Sequence, residues 1–289
     1  MLIQILINGV VVGCIYALVA VGFTVIYNAT ETVNFAVGES LMLGAYFALT
    51  FTKLWNWSYP LAVLATIVAA GVLGYAIFDR AISRPLMKAS LLSRVIALMG
   101  LSAVIKGTVR LVWGADSYQM RSPFPTRPIA FGPVLLTFEE IAVVLITVAI
   151  VGALYLFFRF TKFGTAMRAT AQSRRAAALM GVNVAGVFSA AWVIGTVLSA
   201  LGGVLLGPLL LLDPDMGFVS FKSFTAVVLG GFGSLPGAVI GGVLLGLVEN
   251  LAAVYIGADL QTAATFLLLI AVLAVRPTGL FGRPLQRRV

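Results

Sequence analysis

Nine apolar runs partition this chain, at roughly 2–27, 33–52, 61–78, 95–112, 141–158, 187–212, 224–235, 237–255 and 262–275. A helix crosses the hydrocarbon core of a bilayer in about 20 residues, and only helices or closed barrels satisfy their backbone polar groups there. Most of the runs are long enough. The 224–235 run is too short to cross straight, and reads as a tilted, broken or re-entrant piece, or as a span that starts earlier. The pattern predicts an all-α, polytopic helical membrane protein of roughly eight to ten transmembrane helices, with residues 1–289 as one transmembrane domain. Charge supports this class: 10% of residues are charged, against about 25% in a soluble domain. The first run lacks a positive leader and exceeds a signal-peptide core, so it is expected to be a span.

The net charge of +9 sits in connecting segments. Asp79–Arg94 carries Arg80, Arg84, Lys88 and Arg94 against Asp79 alone, and Arg276–Val289 carries four arginines and no acid. Arg159–Asn183 carries Arg159, Lys162, Arg168, Arg174 and Arg175, also without an acid. By the positive-inside rule all three face the cytoplasm, leaving the proline-rich 113–138 connection, Asp213 and Asp215 outside. The middle of the third segment, Thr165–Met180, is rich in good helix formers and predicts an ordered helix offered to a partner from a loop at about 159–185. Because the positive charge has this topological origin, nucleic-acid binding is not expected.

Absent residues exclude much chemistry. There is no histidine, which removes a Ser-His-Asp triad, His-ligated metals and imidazole proton relays. A lone cysteine, Cys14, can form neither an internal disulfide nor a thiolate cluster. No GxxxxGK[ST] motif occurs, so the chain has no phosphate-binding loop of its own. No cofactor is expected to bind it.

Ionisable groups within the apolar runs are Glu39, Lys106, Arg110 and Glu249. Such groups cost several kcal/mol in hydrocarbon and by default mark function. Lys106 and Arg110 stand one turn apart near a span end, from which long side chains snorkel. Glu249 is also near a span end, where it reads as interfacial. Glu39, about two turns into its run beside Gly38, is the hardest to explain as interfacial: it is expected to pair with a buried cation or to line a polar path, for which Asn34 is a further candidate. Glycine stripes, Gly9–Gly13–Ala17, Gly195–Ser199–Gly203–Gly207 and Gly237–Gly241 with Gly242–Gly246, predict close helix packing, within the chain rather than between chains. Pro208 is expected to kink the 187–212 run. Gly230-Gly231-Phe232-Gly233-Ser234 cannot be regular helix throughout, and reads as a pathway wall or as a sharp turn.

These residues, in this order, resemble one family, the permease subunits of the branched-chain amino acid ABC importers. Gly9-Val10 through Gly22-Phe23-Thr24-Val25-Ile26-Tyr27 resembles its first helix, and Asn34-Phe35-Ala36-Val37-Gly38-Glu39 its NFAxGE signature, commonly with His where this chain has Val37. Gly164-Thr165-Ala166-Met167-Arg168-Ala169 with Leu179-Met180-Gly181-Val182-Asn183 is similar to its coupling loop. Lys222 through Ser234 and Arg276-Pro277-Thr278-Gly279-Leu280-Phe281-Gly282 resemble its C-terminal motifs. The resemblance implies a type II importer fold in a bacterial inner membrane. It implies as partners a second related permease, two cytoplasmic ATP-binding subunits carrying ATP and Mg, and a periplasmic solute-binding protein. It places ATPase coupling on Gly164, Ala166, Arg168, Ala169, Leu179 and Gly181, and leaves Asn34, Glu39, Gly230, Gly231 and Gly233 as pathway candidates. Branched-chain amino acids are the default solute. Urea, short amides and aromatic acids suit the same machinery, and an ATP-independent secondary carrier is the alternative class.

Overall fold

The computed structural model describes residues 1–87, 89–125, 128–131 and 134–282. Each apolar run lies wholly or mostly in a helix, because a backbone in lipid must satisfy its own hydrogen bonds. In order these are α1 (Leu2–Thr30), α2 (Val37–Leu49), α3 (Tyr59–Leu73), α4 (Leu91–Trp113) and α5 (Phe138–Phe160). Short α6 (Lys162–Gln172) and α7 (Arg174–Leu179) precede α8 (Val184–Leu206), α9 (Val219–Gly230), α10 (Leu235–Tyr255) and α11 (Gln261–Val275). α2 and α3 run on as π-helix through Thr50–Leu54 and Gly74–Ser83. Among the described residues, seven helices are long and apolar enough to cross a membrane; α2 with its extension and α9 fill the remaining two runs. The 113–138 connection bridges Tyr118 to Leu212 and adds a small antiparallel ribbon, β1 (Ile129–Phe131) with β2 (Val134–Leu136).

Helix α1 is the hub, with 89% of its apolar window buried, against 17%, 11% and 6% for the peripheral spans of α4, α5 and the 258–275 segment. In membranes apolar burial does not drive helices together, so packing depends on close backbone approach. The sequence stripes supply it within the chain. A Cβ on Gly242 would stand 2.5 Å from Ala17 Cα, and one on Gly13 2.7 Å from Val243 Cα, so α1 and α10 meet backbone to backbone. Helix α8 packs on α1 and α2, and its fully buried Trp192 stacks on Phe78 at 5.9 Å and donates to Ser83 Oγ at 3.0 Å.

Two helices are broken at depth. Along α4, Arg94 reaches Thr32, Lys106 reaches Glu39 and Trp113 reaches Thr50. From Arg94 to Lys106 α4 rises about 18 Å at 1.5 Å per residue. The neighbouring chain covers that height in the seven residues from Thr32 to Glu39, about 2.6 Å per residue, which is more than a helix rises, so part of the stretch must leave the helix. Residues 32–34 are accordingly non-helical, and α2 starts at Val37. Glu39 is therefore in the first turn of α2, not two turns into a helix as its place in the apolar run implied. Helix α9 starts at the same depth: a Cβ on Gly38 would be 2.5 Å from Ser220 Oγ. The 224–235 run is the lower part of a short helix that begins earlier, at Val219. Pro208 does not kink α8; the helix stops at Leu206 and Pro208 sits in the turn that follows.

The basic segments gather at one end of the bundle. Arg94 Nη1 donates to Thr32 Oγ1, Arg174 Nη2 pairs with Glu31 at 3.2 Å, and Leu280 N donates to Leu229 O. The positive-inside rule predicts that this basic end faces the cytoplasm. Lys88 and the tail arginines Arg283, Arg287 and Arg288 lie outside the described residues. A cysteine at exposed Gln172 on a Cys14→Ala background is expected to react with an impermeant maleimide only after the membrane is opened. Labelling of intact cells would invert the assignment.

Candidate translocation path and coupling surface

Glu39 is 3% exposed. Its Oε1 is 3.8 Å from Lys106 Nζ, which is in turn 3.8 Å from Asp215 Oδ1, and Arg110 Nη2 holds Asp215 Oδ2 at 2.9 Å. The four charges form one line from the buried start of α2 to the outer loop at 213–218. Lys106 and Arg110 are thus not independent snorkelling residues: the same one-turn spacing aims both at acids on other elements. Two unit charges about 4 Å apart attract by about 4 kcal/mol at an effective dielectric of 20, offset by the cost of burying the carboxylate. The N-terminus of α2 adds partial positive charge beside Glu39. Glu39 Oε2 and Asn34 Nδ2 are buried and make no hydrogen bond among the described residues; Asn34 Oδ1 accepts from Ala36 N at 3.0 Å. Two helix starts, a non-helical backbone segment and unsatisfied polar atoms at mid-depth belong where protein or a water-filled path can satisfy them.

The glycine-rich string is elsewhere. Gly231 has φ +102 and Gly233 φ +85, and together they make the sharp turn between α9 and α10. Asn28 Nδ2 donates to Gly233 O at 3.0 Å, and Phe281 N to Gly230 O at 2.9 Å. This turn lies at the basic end of the bundle, clamped by the Arg276–Gly282 segment. The structure therefore brings Asn34 and Glu39 to mid-depth but separates them from Gly230, Gly231 and Gly233.

The loop expected as one helix over Thr165–Met180 is two. Ser173 ends α6 and caps α7, its Oγ accepting from Ala176 N at 3.3 Å. Serine competes for backbone groups in this way, which is why the break falls there. Thr161 caps α6 in the same manner. Gly164 is buried, with Phe158 Cα 2.6 Å from where its Cβ would stand, so α6 lies flat on the end of α5. Met167 and Thr170 point inward; Ala166 and Ala169 are half-buried and Arg168 is exposed. Leu179 and Met180 are 82% and 84% exposed, and Gly181, at φ +81, turns the chain toward α8. Of the six residues singled out, Arg168, Leu179 and Gly181 face solvent, while Gly164 positions the segment from beneath.

A second charge pair escaped the sequence reading. Glu249 is not interfacial: it is 3% exposed, and its Oε1 accepts from Lys222 Nζ and from Gln261 Nε2. The missed signal was Lys222, an unpaired cation next to an apolar run, whose partner 27 residues away only the α9–α10 hairpin reveals. At the basic end, Asp79, fully buried, accepts from Arg84 Nε at 3.0 Å and from Ser189 Oγ at 2.7 Å, tying the base of α3 to α8.

The chain is 34% identical over 297 residues to the LivH permease protein of the high-affinity branched-chain amino acid transport system of Escherichia coli, covering 98% of this chain and 96% of that one. It is 35% identical to BraD, the corresponding permease protein of Pseudomonas aeruginosa, with 99% and 97% covered. A chain of the solved PsaBC complex with Fab from Streptococcus pneumoniae shares the fold, with TM-score 0.50 at 15% identity over 95% of this chain and 91% of that chain. The family described as branched-chain amino acid transport system / permease component matches residues 5–274. With seven apolar spans and a polar interior at mid-depth, this multi-pass membrane protein belongs to that permease family.

Proposed function

We propose that this chain is one membrane subunit of a binding-protein-dependent importer for branched-chain or related amino acids. In this reading it sits in a bacterial inner membrane beside a second homologous permease. Two cytoplasmic ATP-binding subunits hydrolyse ATP with Mg, and a periplasmic binding protein delivers the solute. Residues 159–185 form its coupling loop. The observation that carries the reading is the pairing of a helical surface with a path: α6–α7 expose Leu179 and Met180, and the Arg174–Glu31 bridge links α7 to the non-helical segment that leads to Glu39.

Mechanically, closure of the ATPase pair would push on α6–α7. The stiff connection through Gly164 and Arg174 would pass that displacement to α5 and to the end of α1. Such motion biases two arrangements of the permease pair, outward- and inward-facing, and the bound nucleotide sets their populations. Purifying the chain in mild detergent with its neighbours tests the assembly. Two ATPases and a second permease are expected; transport of leucine by the chain alone, driven by an ion gradient, would overturn it.

Glu39 lines the path in this reading. Glu39→Gln removes the charge but keeps the shape, and it leaves Lys106 to Asp215. Uptake in reconstituted vesicles is expected to fall at least about tenfold, a loss of about 1.4 kcal/mol in barrier terms, with subunit assembly unchanged. Wild-type uptake would reduce Glu39 to a packing residue.

A further inference from the structure

We infer that the outer half of this chain holds a binding cleft of its own for a zwitterionic aliphatic α-amino acid, built on Lys222 and Glu249. The inference deepens the reading above and rests on it for the solute class. A cavity of about 360 Å³ opens among α1, α9 and α10. Glu249 lies fourteen residues beyond Leu235, about 21 Å along α10 from its cytoplasmic start at 1.5 Å per residue, so the cleft belongs to the outer half.

The polar wall of the cavity is Asn8, Tyr16, Glu140, Lys222, Glu249, Asn250 and Gln261; Glu140 is already engaged in capping α5, its Oε2 accepting from Thr137 N at 2.8 Å. Glu249 Oε1 is taken by Lys222 and Gln261, but Oε2 is buried and has no partner among the described residues. The Lys222 side chain remains 22% exposed. Val11, Val12, Leu206 and Val219 make the apolar wall. A buried ion pair is weak evidence for stability, since apolar residues of the same volume often serve as well. An intramembrane charge pair that lines a cavity is a functional feature by default.

The chemistry selects the ligand. An α-amino acid carries its ammonium and carboxylate on one carbon, as the pair carries opposite charges side by side. The ligand ammonium meets Glu249 Oε2, its carboxylate meets the Lys222 ammonium, and a branched aliphatic side chain lies on the valine wall. The volume is at the small end of ligand sites, which run about 300–1,000 Å³, as suits one amino acid. The cleft would take solute released at the outer face and hold it weakly before the path opens.

Thermal unfolding of the purified complex, without its solute-binding protein, reads occupancy directly. L-leucine at millimolar concentration is expected to raise the midpoint. The probes 3-methylbutylamine, which lacks the carboxylate, and 4-methylpentanoate, which lacks the ammonium, should each need at least about tenfold more, since each forfeits one charge-assisted contact. Glu249→Gln and Lys222→Met should abolish the leucine effect. Because either could impair folding, Val12→Phe fills the cleft from its apolar side and leaves the pair intact. It should weaken the leucine effect at least about tenfold, by loss of cavity volume, while the subunits still co-purify. Equal protection by all three ligands, or full protection by leucine in Val12→Phe, overturns the cleft. Binding-protein-dependent leucine uptake in vesicles separates the two readings. Uptake without leucine protection sinks the cleft alone; no uptake of any aliphatic amino acid sinks the importer reading with it.

Discussion

Gly242→Leu is expected to abolish recoverable folded protein. A Cβ at Gly242 would stand 2.5 Å from both the Cα and the N of Ala17, and backbone cannot step aside as a flexible side chain does. The only relief is to part α1 from α10, the helix it packs on most extensively, and α1 is the buried hub of the bundle. Overpacking in a tight core costs about 1–3 kcal/mol and occasionally more. Here a leucine adds four carbons against main chain, so the upper end or beyond is expected. In lipid no apolar driving force offsets the separation, because parted helices are still solvated by acyl chains. The control is Gly100→Leu, where an added Cβ meets nothing within 4 Å. Monodisperse yield on size-exclusion chromatography checks the pair: Gly100→Leu should match wild type and Gly242→Leu should aggregate. Equal yields would refute backbone contact between these helices.

Leu179→Glu is expected to remove solute-stimulated ATPase activity while leaving the membrane domain folded. Leu179 is 82% exposed, so the isolated chain loses no packing. If an ATPase groove receives it, the new carboxylate is buried there without a partner, at several kcal/mol. Loss of about 3 kcal/mol from docking lowers the affinity more than a hundredfold. ATPase stimulation in reconstituted vesicles and retention of the ATPase on affinity purification are the readouts. Normal values for both would remove Leu179 from the coupling surface. Met180→Glu, at 84% exposure, should behave alike if the α7 tip is the docking element.

Local pattern carried some features and failed at others for identifiable reasons. The nine apolar runs located their helices, since hydrocarbon enforces internal hydrogen bonding wherever the chain crosses it. The break after Gly230 was legible because glycines at positive φ cannot continue a helix. The break at Ser173 was not: serine and alanine around it are compatible with helix, and the Oγ–Ala176 N cap competes on nearly equal terms. Residues 33–36 are apolar enough to read as helix, yet they form an irregular segment and a turn capped by Asn34 Oδ1, because α4 and α9 hold Thr32 and Gly38 too far apart in depth for a helix to join them.

The sequence by itself determined the helical membrane class, the gathering of basic segments at one end, the packing stripes and the motifs of the family. These follow from hydrophobic length, loop charge and residue size, which are properties of segments. Only the tertiary structure decided which charges meet. Glu39 with Lys106, Asp215 with Arg110, and Lys222 with Glu249 and Gln261 join elements from distant parts of the chain. An intramembrane charge is costly wherever it lies, so its presence is legible in sequence. The partner that offsets the cost is set by which helix faces pack together, and periodicity in one segment does not specify that.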